Sequence, residues 1–163
     1  MAEWSHRLGD RLTASSLVPR DLVERQLGLI LDLIIQSVGP LRREVGPMWR
    51  KACEHHGRAA SLRGLAAGEV VEEFQHLREL LTLRLAASVI ALRPRQALAI
   101  MLRLHRLLDH GTASAVVGYT DALVATLFVQ SGVPTADTEV DGVELERQIV
   151  TIEQELAFLA RRS

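Results

Sequence analysis

Apolar residues recur along this chain at helical spacing, and five prolines mark where one helix gives way to the next. No stretch shows the strict alternation of a half-buried strand, so the pattern predicts helices throughout. Trp4, Leu8 and Leu12 predict a short first helix over Trp4–Ala14, broken by Ser15-Ser16. Pro19 suits the first turn of the next helix, and Asp21 and Glu24 suit its positive end. Leu22, Val23, Leu27, Ile30, Leu31, Ile34 and Ile35 then form one stripe, ended by Gly39-Pro40. Pro40 to Pro47 reads as a short helix or turn, and a helix from Met48 reaches Ser61 or Leu62. Gly57 falls inside it. A mid-helix glycine costs about 1 kcal/mol relative to alanine, so close approach of another backbone is its expected use. Gly64 suits the left-handed position just past the helix end.

The next stripe, Val70, Val71, Phe74, Leu77, Leu81, Leu85 and Val89, predicts a helix from Ala67 to about Leu92. Glu69, Glu72 and Glu73 lie in its first turns, and Arg93-Pro94 ends it. A long helical stretch follows from Arg95 to Val129, with Gly111 or Gly118 as places for a bend. Its first half is amphipathic through Leu98, Met101, Leu102 and Leu108, whereas its second half is apolar nearly all round. Such a helix is expected to be buried on most sides inside protein. Gly111–Val129 approaches the length of a membrane span, but Thr, Ser, Gly and Tyr dilute it and Asp121 interrupts it. Ser131-Gly132-Val133-Pro134 reads as a loop. In the tail, Thr138–Ala160, the residues Leu145, Ile149, Ile152, Leu156 and Leu159 are spaced as an a/d seam about two heptads long. The expected organisation is a helical body over 1–132 and a linker with an amphipathic signalling helix over 133–163.

Composition narrows the function classes. Of 163 residues, 48% are apolar and 24% charged, the mixture of a globular domain. Six aromatic residues leave Leu, Ala, Val and Ile to build the core. The net charge of −1 offers no overall basic excess for nucleic acid or an anionic membrane, so neither is an expected partner. A lone cysteine, Cys53, rules out an intramolecular disulfide and a Cys-rich zinc site. The first ten residues lack a signal-peptide apolar core, and a cytoplasmic location is the expectation.

The candidate chemistry is sparse. Glu73 and His76 form one E-x-x-H pair, whereas di-iron bundles need two such pairs with two further glutamates. His105 and Asp109 share a helix face, but two ligands do not close a zinc site. A surface or interhelical hydrogen bond is the simpler use of that pair. The histidines of Glu54-His55-His56-Gly57 diverge by about 100°, so at most one is expected to face the core. His76, His105 or His110 could serve as an axial haem ligand. Cys53 reads as a buried structural thiol. No phosphate-binding glycine loop, dinucleotide fingerprint or nucleophile elbow occurs. A set of polar residues remains on otherwise apolar helices: His56, Arg58, Glu73, Arg78, His105 and Asp109. They predict either a polar network or a few surface ion pairs.

His56-Gly57-Arg58, then Gly64-Leu65, then Glu72-Glu73-Phe74-Gln75-His76-Leu77-Arg78 resemble the RsbRD-type N-terminal domain, the RsbT co-antagonist N-terminal family. The specific part runs from His56 to Arg78. The chain departs from that pattern at Ala60, where a basic residue is expected, and at Leu65, where an aromatic is common. The resemblance implies an all-α, globin-like or four-helix-bundle-like input domain of bacterial signalling proteins. It implies no haem or other cofactor, no enzymatic activity, and a homodimer that acts on a kinase or anti-sigma regulator as output. Val116, Val117, Leu123, Val124 and Leu127 on the long helix are then the expected dimer interface. Leu145, Ile149, Ile152 and Leu156 are expected to extend it as a coiled-coil-type seam that relays a packing change. The alternative is a globin-like sensor that binds haem or another small ligand.

Overall fold

The computed structural model describes residues 20–37, 41–131 and 142–161. Within them the chain is all-α, with five helices: α1 (Arg20–Ser37), α2 (Arg42–Leu62), α3 (Ala67–Ile90), α4 (Pro94–Gln130) and α5 (Gly142–Ala160). The expected helix over Trp4–Ala14 and most of the linker before α5 lie outside the described residues.

α2 is the hub, touching each of the other four helices. Val45, Trp49, Ala52 and Cys53 on α2 are buried together with Val23, Ile30 and Leu33 of α1, Phe74 and Leu77 of α3, and Leu104 and Leu108 of α4. One expectation fails at its start. Over the described residues of Pro40–Pro47 there is no separate short helix or turn, because α2 begins at Arg42 and runs through Pro47. An internal proline removes one helical hydrogen bond. Here the loss falls near the helix start, and burial of Val45, Met48 and Trp49 holds the turn in place.

α2 ends as its glycine predicts. Gly64 has φ of +77°, Leu65 N–H donates to Ala60 O at 3.1 Å, and Gly64 N–H donates to Ser61 O at 3.0 Å. This is a Schellman closure, which satisfies carbonyls the helix end would otherwise orphan. α3 then starts with the Glu69 side chain accepting from Ala66 N–H at 2.8 Å, half of a capping box. Pro94 opens α4 at its first turn.

α2 and α4 share the most extensive interface in the molecule. The α4 face turned inward repeats every three or four residues: Leu104, Leu108, Gly111, Ala115, Gly118, Ala122 and Ala125. A Cβ on Gly57 would sit 1.8 Å from Ala115 O, and one on Gly118 would sit 2.0 Å from Glu54 O. The two backbones therefore meet where glycine alone fits. Gly111 serves differently, since its missing side chain makes room for Trp49, Phe74 and Cys53. Trp49 Nε1 donates to Leu107 O at 3.1 Å, and the Tyr119 hydroxyl donates to Leu65 O at 2.9 Å.

The tail corrects another expectation. Leu145, Ile149 and Ile152 of α5 are buried in the same core, against α1 and α2, and Leu156 is half-buried beside them. They are not an uncommitted seam, because α5 packs on the helical body through them. A short seam with Glu146, Glu153 and Glu155 on its flanks finds its complement in α1, where Arg25 ion-pairs with Glu153 and lies 4.0 Å from Glu146.

Candidate functional site

Of the six polar residues read as either a network or separate ion pairs, five divide among three places and His105 joins none of them. Deep in the core, His56 of α2 donates from Nε2 to Glu73 Oε2 of α3 at 2.7 Å. Glu73 also faces Arg63, whose Nη2 lies 3.8 Å from Oε1. All three are buried, and His56 meets the edge of Phe74 at a ring separation of 5.8 Å. Farther along α3, Arg78 ion-pairs with Asp109 of α4 at the surface. On the third side, Arg58 approaches Asp121 at 4.0 Å. His105 is half-buried and does not take Asp109, because Arg78 reaches it from α3.

The deep cluster is the unusual one. Burying charge is tolerated when partners offset the lost hydration. Glu73 stands between His56 and Arg63 and is the acid shared by both. Burial pulls the Arg63 guanidinium below its usual range, while Glu73 and Glu69 oppose that shift. Nε, Nη1 and Nη2 of Arg63 and Nδ1 of His56 make no hydrogen bond. The space beside the cluster, lined by Ile30, His56, Glu73, Phe74 and Leu77, is too small for a water molecule. Arg63 escaped the sequence reading although it held a signal. It lies seven residues after His56, two helical turns on, and so returns to the same face.

The metal and haem candidates do not assemble. Glu73 points into the core, while His76 is exposed with Nδ1 at 3.1 Å from Glu72 O, so the E-x-x-H pair is split. His110 is also exposed. The larger cavity, about 420 Å³ between α1 and α5, is bounded by Arg25, Asp32, Ile35 and Leu156 and includes no histidine. Among the described residues no group of three metal-ligating side chains comes together. Cys53 is buried, and burial raises its thiol pKa well above the ordinary value.

His55 and His56 are both buried, against the expectation of one, because α5 covers the side of α2 that carries His55. Burial, with help from Arg58 and Lys51, lowers His55 to about 4. In the unfolded chain its pKa is about 6.5, so between these values the unfolded state binds more protons. Stability from this group is therefore full above pH about 6.5 and falls as pH drops towards 4, by roughly 2–3 kcal/mol. Urea midpoints at pH 7 and pH 4.5 should show this loss, and His55→Leu should flatten it.

The outer face of α4 is the second candidate. Val117, Leu123, Val124, Leu127 and Phe128 are 42–56% exposed, and Val116 is half-buried. They lie opposite the seam that packs on α2. By length and composition alone, α4 could also cross a membrane. Its inner face, however, is taken up by α2 at backbone distance. Comparison with protein-family models, curated proteins and solved structures found no match.

Proposed function

We propose that this chain is a cytoplasmic sensory or regulatory module of bacterial signal transduction. It acts as a homodimer and relays a helix-packing change to an output partner, a kinase or an anti-sigma regulator. One observation carries this reading: α4 is apolar on two opposite faces, and among the described residues of one chain only one of them is covered. An exposed apolar stripe of this kind is a protein-interaction surface. A second copy offers an identical stripe, and two-fold pairing of like surfaces is the commonest route to a dimer. The resemblance over His56–Arg78 supports the same reading and adds the signalling context and a globin-related ancestry without haem.

In this reading the buried Glu73 cluster, which links α2 to α3 through charge that is costly to bury, is the element whose packing a signal shifts. The module does no chemistry on a substrate in this reading. Its work is differential packing.

Light scattering at about 10 μM should give twice the chain mass, since an interface of this kind commonly binds at micromolar Kd or tighter. Val124→Asp with Leu127→Asp should weaken association by roughly a hundredfold or more, through burial of unpaired charge. Helicity should be unchanged, because both side chains are exposed. A monomeric wild-type chain would overturn the proposal.

A further inference from the structure

Beyond Leu77 on α3 and before Leu104 on α4, no residue is buried. Among the described residues this distal part is a two-helix hairpin without a third layer, and each arm extends roughly 15–20 Å past the core. Its charge is one-sided. Between Glu79 and Asp109 lie Arg84, Arg93, Arg95, Arg103 and Arg106 and not one acidic residue, although the whole chain has a net charge of −1. All five arginines are exposed. Bare aliphatic side chains stand among them: Leu83 is 73% exposed, Ile90 81% and Leu98 61%.

We propose that this hairpin tip docks on an anionic lipid bilayer. The arginines meet lipid phosphates, and Leu83, Ile90 and Leu98 enter the boundary between headgroups and acyl chains. Lipid is the ligand that rewards both features together, since guanidinium groups gain from surface charge while aliphatic side chains gain from leaving water. The long arginine stems allow the charge to stay at headgroup level while the helix sinks. Nucleic acid would reward the charge but not the aliphatics, and the tip has no aromatic side chain for bases to stack on. A partner helix needs a groove, and this end is a narrow convex turn. A second copy meeting it head-on would set five arginines against five.

The test uses the full chain and sedimentation with vesicles of phosphatidylcholine, with and without phosphatidylglycerol. Binding is expected only with phosphatidylglycerol and should fall steeply with added salt. Arg84→Gln with Arg93→Gln and Arg95→Gln should weaken it by about a hundredfold. Ile90→Ser with Leu98→Ser should weaken it by about tenfold with the charge intact. These exposed substitutions should leave the circular dichroism spectrum unchanged. The proposal is overturned by equal recovery with both vesicle types, by no recovery with either, or by retention unaffected in the aliphatic variant. It is also overturned if an acidic peptide or single-stranded DNA competes the chain off the vesicles only through the arginines while the aliphatic pair is silent.

Discussion

Gly57→Ala should destabilise the protein by about 3 kcal/mol or more, although alanine is the better helix former by about 1 kcal/mol. The added Cβ would fall 1.8 Å from Ala115 O and 2.8 Å from Tyr119 N. These are backbone atoms of α4, so no rotamer change relieves the clash and the two helices must separate. Separation forfeits the packing of Ala115, Gly118 and Tyr119 along several turns, which is why the loss exceeds that of an ordinary overpacked side chain. Gly28→Ala is the matched control. It lies within α1 with nothing within 4 Å of the new methyl, so it should stabilise by about 0.5–1 kcal/mol. Urea unfolding of the two variants should therefore move the midpoint in opposite directions. Two stabilised variants would mean that α2 and α4 are not in backbone contact.

Glu73→Ala should cost about 3–5 kcal/mol. The substitution removes the one acid that stands between two buried groups, His56 at 2.7 Å and Arg63 at 3.8 Å, and leaves the guanidinium with only the weaker influence of Glu69. The cost arises from that stranded charge more than from the lost hydrogen bond. Replacing all three members by aliphatic residues, as His56→Leu, Glu73→Leu and Arg63→Met, should therefore recover most of the stability. Denaturation of the single and triple variants separates the two effects. A single variant as stable as the wild type would show that Glu73 is not the shared partner.

Much of the fold was legible in the residues, where a local rule had no competitor. Gly64 announced the end of α2 because only glycine takes its φ of +77° without strain. Gly57 stood out because helix propensity gave no reason for it. Pro94 and the α3 stripe placed the hairpin turn. Other features depend on what packs where, which spacing does not encode. The α5 seam has the period of a coiled coil, but period alone does not say whether its complement is another chain or, as here, α1 and α2. Pro47 obeyed the rule for a helix break until burial of its neighbours outweighed one lost hydrogen bond. His105 and Asp109 share a face, yet Arg78 reaches Asp109 from another helix. At the site, His56 and Glu73 were named from the sequence and do meet, whereas Arg63 was hidden by its place at a helix end. The run of arginines between Glu79 and Asp109 was visible in the letters, but a net charge averaged over the whole chain concealed it.

α4 has 37 residues, and at 1.5 Å each it is a rod about 55 Å long. Its inner seam and its outer stripe are two sides of one axle. Any roll of that axle against α2, even through a small angle, swings Val117, Val124 and Leu127 through the same arc on the far side. Because glycine contacts hold the axle at backbone distance, there is almost no slack in which such a turn could be lost.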